Sequence, residues 1–80
     1  MPTATWQELL ARNPRVQGGQ ICAKGTRVPV TVILDNLAEG ASVEEILQSY
    51  PSLKAEHITA ALAYAADLAR EQAVSPLQTQ

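Results

Sequence analysis

Gly18-Gly19-Gln20-Ile21-Cys22-Ala23-Lys24-Gly25-Thr26-Arg27-Val28-Pro29-Val30 is the stretch on which the fold turns. Its two leading glycines mark a turn, because glycine adopts positive φ without steric cost. Ile21 to Ala23 and Thr26 to Pro29 flank Lys24-Gly25, the pattern of a short hairpin or an irregular β-arm. Pro29 has no N–H to give to a ladder, so the arm is a sheet edge or ends there. Val30 then opens a helix. The chain therefore reads as an arm over residues 1–29 with short β segments, followed by a helical body over residues 30–73.

Working back from Gly18, residues 5–12 are open to two readings. Thr5 and Glu8 have capping-box spacing and Trp6, Leu9 and Leu10 fit one helix face, which favours a helix or turn. Leu10 and Val16 fit short extended pieces around Asn13-Pro14 equally well. Working forward, Val30, Ile33, Leu34 and Leu37 recur at helical spacing, and Gly40 is placed to end a helix over residues 30–39. Ser42 and Glu45 form a capping box for a second helix over 43–50, which Pro51 stops. A third helix over about 54–72 carries a stripe of Ile58, Ala61, Leu62, Ala65, Leu68 and Ala69. Eight alanines between Ala55 and Ala73 let a neighbouring backbone come close. Residues 74–80 read as a flexible tail. The expected fold is mostly α: one domain, a three-helix homeodomain-like bundle containing a helix-turn-helix, preceded by the short N-terminal β-arm.

Eighty residues bury a modest core, and chains of this size often gain stability from a partner or a second copy. Cys22 is the one cysteine, so an internal disulfide is excluded and a zinc site lacks ligands. No apolar run approaches bilayer length and the start lacks a signal-peptide pattern, so a cytoplasmic protein with no membrane association is expected. The net charge of −2 hides a division. Arg12, Arg15, Lys24 and Arg27 face only Glu8 in residues 1–30, whereas Lys54 and Arg70 face Asp35, Glu39, Glu44, Glu45, Glu56, Asp67 and Glu71 afterwards. A basic arm suits phosphate and an acidic body repels it.

The chain closely resembles the bacterial family called domain of unknown function 433, also described as VapB-like antitoxins. Asn13-Pro14, Gly18-Gly19-Gln20, Lys24-Gly25-Thr26-Arg27-Val28-Pro29-Val30, residues 40–47, Tyr50-Pro51-Ser52-Leu53 and residues 58–64 carry the resemblance. It implies a homeodomain-like helical fold behind a β-arm. It also implies an antitoxin of a type II toxin–antitoxin pair, with a PIN-like toxin as partner. Related chains commonly place Ser or Thr where Lys54 stands before the third helix. Lys54 cannot accept an N-cap bond and sets a cation near the positive helix end, which leaves Ser52 as a substitute cap.

Candidate nucleic-acid or partner contacts are Arg12, Arg15, Lys24, Arg27, Lys54, His57 and Thr59. Arg27 sits at a turn-to-helix junction, so tying down the arm, for example by pairing with Asp35, competes with contacting phosphate. Arg12, Arg15 and Lys24 compete in the same way with plain solvated charge. The third helix offers no Arg or Asn in its first turns to read base edges. His57 has no nucleophile beside it in the sequence and reads as a surface histidine rather than a base. Cys22 reads as a small buried hydrophobe, and Glu44-Glu45 as favourable first-turn charge. No catalytic, metal or cofactor residue is expected, and the protein is not expected to be an enzyme. Trp6, Ile21 and Val28 are candidate dimer contacts, because an arm this short gains from pairing with another copy. The functional expectation is an antitoxin that neutralises its toxin and represses its own operator as a dimer. The alternative is a homodimeric interaction adaptor with no role on DNA.

Overall fold

A computed structural model describes residues 6–71, apart from the side chain of Gln17. The expected tail over 74–80 lies outside the described residues. A single 3-10 turn, Trp6–Glu8, leads into strand β1, Leu10–Arg12. A second 3-10 turn, Gln17–Gly19, precedes β2, Ile21–Ala23, and helices α1, Val30–Ala38, α2, Val43–Ser49, and α3, Ala55–Glu71, complete the chain. The structure is mostly helical, with a short antiparallel strand pair ahead of three helices. Residues 6–12 thus hold both a turn and, from Leu10, an extended piece, while Thr5 of the expected capping box lies outside the described residues.

The hairpin partner differs from the expected one. β2 pairs with β1, Leu10 opposite Ala23 and Arg12 opposite Ile21, and not with Thr26–Pro29. The reason lies in Thr26 and Pro29. The Thr26 hydroxyl accepts from the Val28 N–H at 3.0 Å, which takes that donor from any ladder, and proline has none. What is left is one bridge between Cys22 and Pro29, together with the Ala23 N–H donating to the Val28 carbonyl. Gly18 and Gly19 carry φ of 80° and 60°, as a glycine turn requires.

Gly40, at φ 96°, ends α1, and its N–H donates to the Leu37 carbonyl. α2 begins with a complete capping box: Ser42 Oγ accepts from the Glu45 N–H at 3.1 Å, and Glu45 Oε1 accepts from the Ser42 N–H at 2.8 Å. α3 begins differently from expectation. Lys54 caps it by backbone alone, and its N–H donates to His57 Nδ1 at 3.0 Å. This is half of a capping box, with an imidazole where Glu or Gln usually stands. It explains how a lysine can occupy the position, and why Ser52 is not needed there.

The core gathers Leu10, Ala23, Val30, Ile33, Ile46, Leu53, Ile58, Ala60 and Ala61, so strands and all three helices close on one centre. α3 meets it on a face that keeps Ile58 and Ala61 of the expected stripe but is rotated toward His57 and Ala60. His57, Ile58, Ala60 and Ala61 are buried, with Tyr64 packed alongside, while Leu62 and Leu68 are 50% and 39% exposed. Alanine weighs little on either side of a helix, so periodicity alone does not fix which side faces in. The large partners decide it. Trp6 packs edge-on against Tyr64 with ring centroids 4.8 Å apart, and its indole N–H donates to Asp67 at 2.6 Å. That pulls the Tyr64–Asp67 side of α3 inward.

Candidate functional site

The arm's cations stand on two loops clamped together by Asn13. The Asn13 N–H donates to the Gln20 carbonyl, its Nδ2 donates to the Thr26 carbonyl at 3.1 Å, and its Oδ1 accepts from the Arg15 N–H at 2.9 Å. The last bond is an Asx turn, favoured because Pro14 fixes the intervening backbone. The middle bond draws the β1–β2 connection against the turn Ala23–Thr26. That turn closes through the Thr26 N–H to the Ala23 carbonyl at 2.9 Å, reinforced by Thr26 Oγ1 donating to the same carbonyl at 2.8 Å. Gly25 supplies its left-handed position at φ 82°. Arg12 and Arg15 flank Asn13, and Lys24 and Arg27 flank the Thr26 end. One side-chain bond thereby holds together the two segments that carry the four cations.

All four are exposed. Arg12 directs its guanidinium to the Gly19 carbonyl at 3.0 Å. Among the described residues, the side chains of Arg15, Lys24 and Arg27 have no hydrogen-bond or ion-pair partner. Arg27 in particular does not pair with Asp35. The one ion pair among the described residues joins Arg70 to Asp67 at 2.5 Å, on the far part of α3. Exposed cations on adjoining segments without carboxylate partners suit an anion.

The remaining candidates separate. Lys54, just before α3, and Thr59, on it, are exposed. His57 is not a surface residue: it is 7% exposed and its Nδ1 is occupied by the helix cap. The cause is the rotation of α3 described above, which carries position 57 to the core side. Trp6, Ile21 and Val28 are all partly buried against the protein's own core. Cys22 is buried and burial pushes its thiol up from the ordinary value, which keeps it protonated and unreactive. Asp67 is held below the usual carboxylate range, first by the Trp6 indole bond and then by Arg70.

Asn13 and Thr26 were missed as positioning residues. The signals were present: Asn before Pro favours an Asx turn, and Thr after Gly can close a turn through its hydroxyl. No group of three or more His, Cys, Asp or Glu among the described residues is arranged to hold a metal, and no described helix is long and apolar enough to cross a membrane.

A family model described as "Protein of unknown function (DUF433)" matches residues 10–65, from β1 to the middle of α3. The chain belongs to the DUF433 family. It is also 42% identical over 62 residues to the uncharacterized protein y4eO of Sinorhizobium fredii (strain NBRC 101917 / NGR234). The match covers 78% of this chain and 28% of that relative, so the DUF433 chain spans little more than a quarter of the relative's length. No solved structure matches. The DUF433 span contains the Asn13 clamp, the Ala23–Thr26 turn and all four arm cations, together with α1, α2 and the start of α3.

Proposed function

We propose that this DUF433 protein is an antitoxin-like regulator: its cationic arm contacts operator DNA, and its acidic helical body binds a PIN-like toxin. The observation that carries the reading is the Asn13 clamp, which gathers Arg12, Arg15, Lys24 and Arg27 at one end of a chain whose net charge is −2. Three of those side chains are unpartnered, so they contact phosphate without first breaking a bond. The carboxylates Asp35, Glu39, Glu44 and Glu45 are exposed on α1, α2 and their connection, and suit a cationic nuclease surface. The homeodomain-like helix-turn-helix belongs to this reading, with α2 and α3 as its two helices. In it the arm supplies affinity through phosphates, while α3 supplies little base readout. The cytoplasm is the compartment where both partners would be met.

The test is purification from the native host after nuclease treatment. Recovery of one small PIN-like protein in stoichiometric amount supports the reading. Recovery of the protein alone contradicts it.

A second reading, an interaction adaptor without a DNA role, is favoured by one observation. The outward side of the first turns of α3 carries Ala55, Thr59 and Leu62, with no Arg, Asn or Gln to meet a base. Loss of DNA binding on neutralising the arm separates the two, because the adaptor has no such binding to lose.

A further inference from the structure

The outward side of α3 is chemically out of place. Ala55, Thr59, Leu62, Ala66 and Ala69 are all exposed. At helical geometry they fall within an arc of roughly 80°, on the side opposite His57, Ala60, Ala61 and Tyr64. The side of a surface helix that faces away from its core normally carries charge. Here five successive positions, spaced alternately by four and three residues, carry none. That spacing is the seam of a two-helix coil. Its centre, Leu62, is a large apolar side chain left 50% exposed.

Charge at the edge of the seam says what covers it. Glu56 and Arg70 follow the first and last seam positions, on the same flank, at opposite ends of the stripe. Both are exposed, and the Arg70 side chain is 73% exposed despite its bond to Asp67. A second copy of α3 laid parallel would carry the two charged flanks to opposite sides of the seam and bring no Glu56 to an Arg70. Laid antiparallel about a two-fold axis at Leu62, it sets Ala55 against Ala69 and Thr59 beside Ala66. Glu56 then comes to within about 3 Å of Arg70 along the axis, twice by symmetry. Flanking charge in coils selects orientation in this way. Alanine and threonine let the axes approach at about 8 Å, the close end of helix packing, with little side-chain freedom lost.

We propose that the protein forms a homodimer through an antiparallel pairing of α3 with α3 of a second copy, centred on Leu62. This goes beyond the antitoxin reading and does not depend on it. It places the dimer seam on α3, away from Trp6, Ile21 and Val28.

Sedimentation equilibrium of the full chain tests it, with Leu62→Glu as the variant. The substitution lies on an exposed position, so the helix signal in circular dichroism should persist while the dimer dissociation constant rises at least about tenfold. A charge exchange provides an independent reading. Glu56→Arg alone should weaken the dimer, and Glu56→Arg with Arg70→Glu should restore it. A wild-type chain that stays monomeric up to about 100 μM overturns the proposal. A dimer unmoved by Leu62→Glu overturns it too and returns the interface to the arm. Neither outcome bears on whether a toxin co-purifies.

Discussion

From β1 to the start of α1 the chain adds side chain-to-backbone hydrogen bonds at Asn13 and Thr26 and left-handed glycines to the burial of Leu10 and Ala23; from Val30 onward it relies chiefly on burying Ile33, Ile46 and Ile58 to 2% exposure or less. The difference has a functional consequence. A segment specified by polar bonds to its own backbone can leave its charged side chains outside and unpartnered. A segment specified by apolar burial places its charges wherever the outer face happens to lie. The arm is therefore built to present cations, and the body to be stable enough to hold it.

Breaking the body should have the largest effect. Ile33 is fully buried where α1 meets the core, and Ile33→Ala should cost about 2–5 kcal/mol. A core this small rarely supplies more than about 3–5 kcal/mol in all. Urea denaturation should therefore find the variant largely unfolded. His57→Ala comes next, at about 1–3 kcal/mol, because it removes the acceptor for the Lys54 N–H and leaves a void. Ser42→Ala, at the exposed cap of α2, should cost less, about 1 kcal/mol.

Breaking the arm should look different. Gly25→Ala meets nothing within 4 Å, so its cost is that of the left-handed backbone alone, about 1–2 kcal/mol. The loss should be confined to the turn, with hydrogen exchange in α1 and α2 hardly changed and anion binding weakened. The smallest effect concerns the contact between the two regions. Asp67 titrates below its ordinary value because Trp6 and Arg70 bond its ionised form. The stability it contributes is therefore complete above the ordinary carboxylate value of about 3.9 and is lost as pH falls through the lower folded value. Asp67→Asn should flatten that acid limb in a thermal melt series and lower the neutral melt slightly, toward the level the wild type reaches once Asp67 is protonated.

The same contrast explains what was legible in the sequence. α1 and α2 follow from the Val30-Ile33-Leu34-Leu37 spacing, Gly40, the Ser42–Glu45 box and Pro51, signals that act within a few residues. The strand partner of β2 did not follow. The competition between β1 and Thr26–Pro29 was settled by one hydroxyl taking the Val28 N–H, a tertiary choice among equally plausible strands. The phase of α3 was hidden because alanine contributes little to either face. Trp6, far away in sequence, fixed it by packing edge-on against Tyr64. His57 was misplaced on the surface for the same reason. The four cations were visible as candidates, but the Asn13 clamp that brings them together required the fold.

The most direct measurement of the central claim is the salt dependence of binding between the full chain and duplex DNA from its own promoter, by fluorescence anisotropy. The wild type is compared with Arg15→Ala/Lys24→Ala/Arg27→Ala at matched melting temperature. Three unpartnered cations on phosphate predict a log–log slope of about −3 per chain, and loss of binding in the triple variant. Absence of binding at low salt, or a slope and affinity unchanged in the triple variant, would contradict the account.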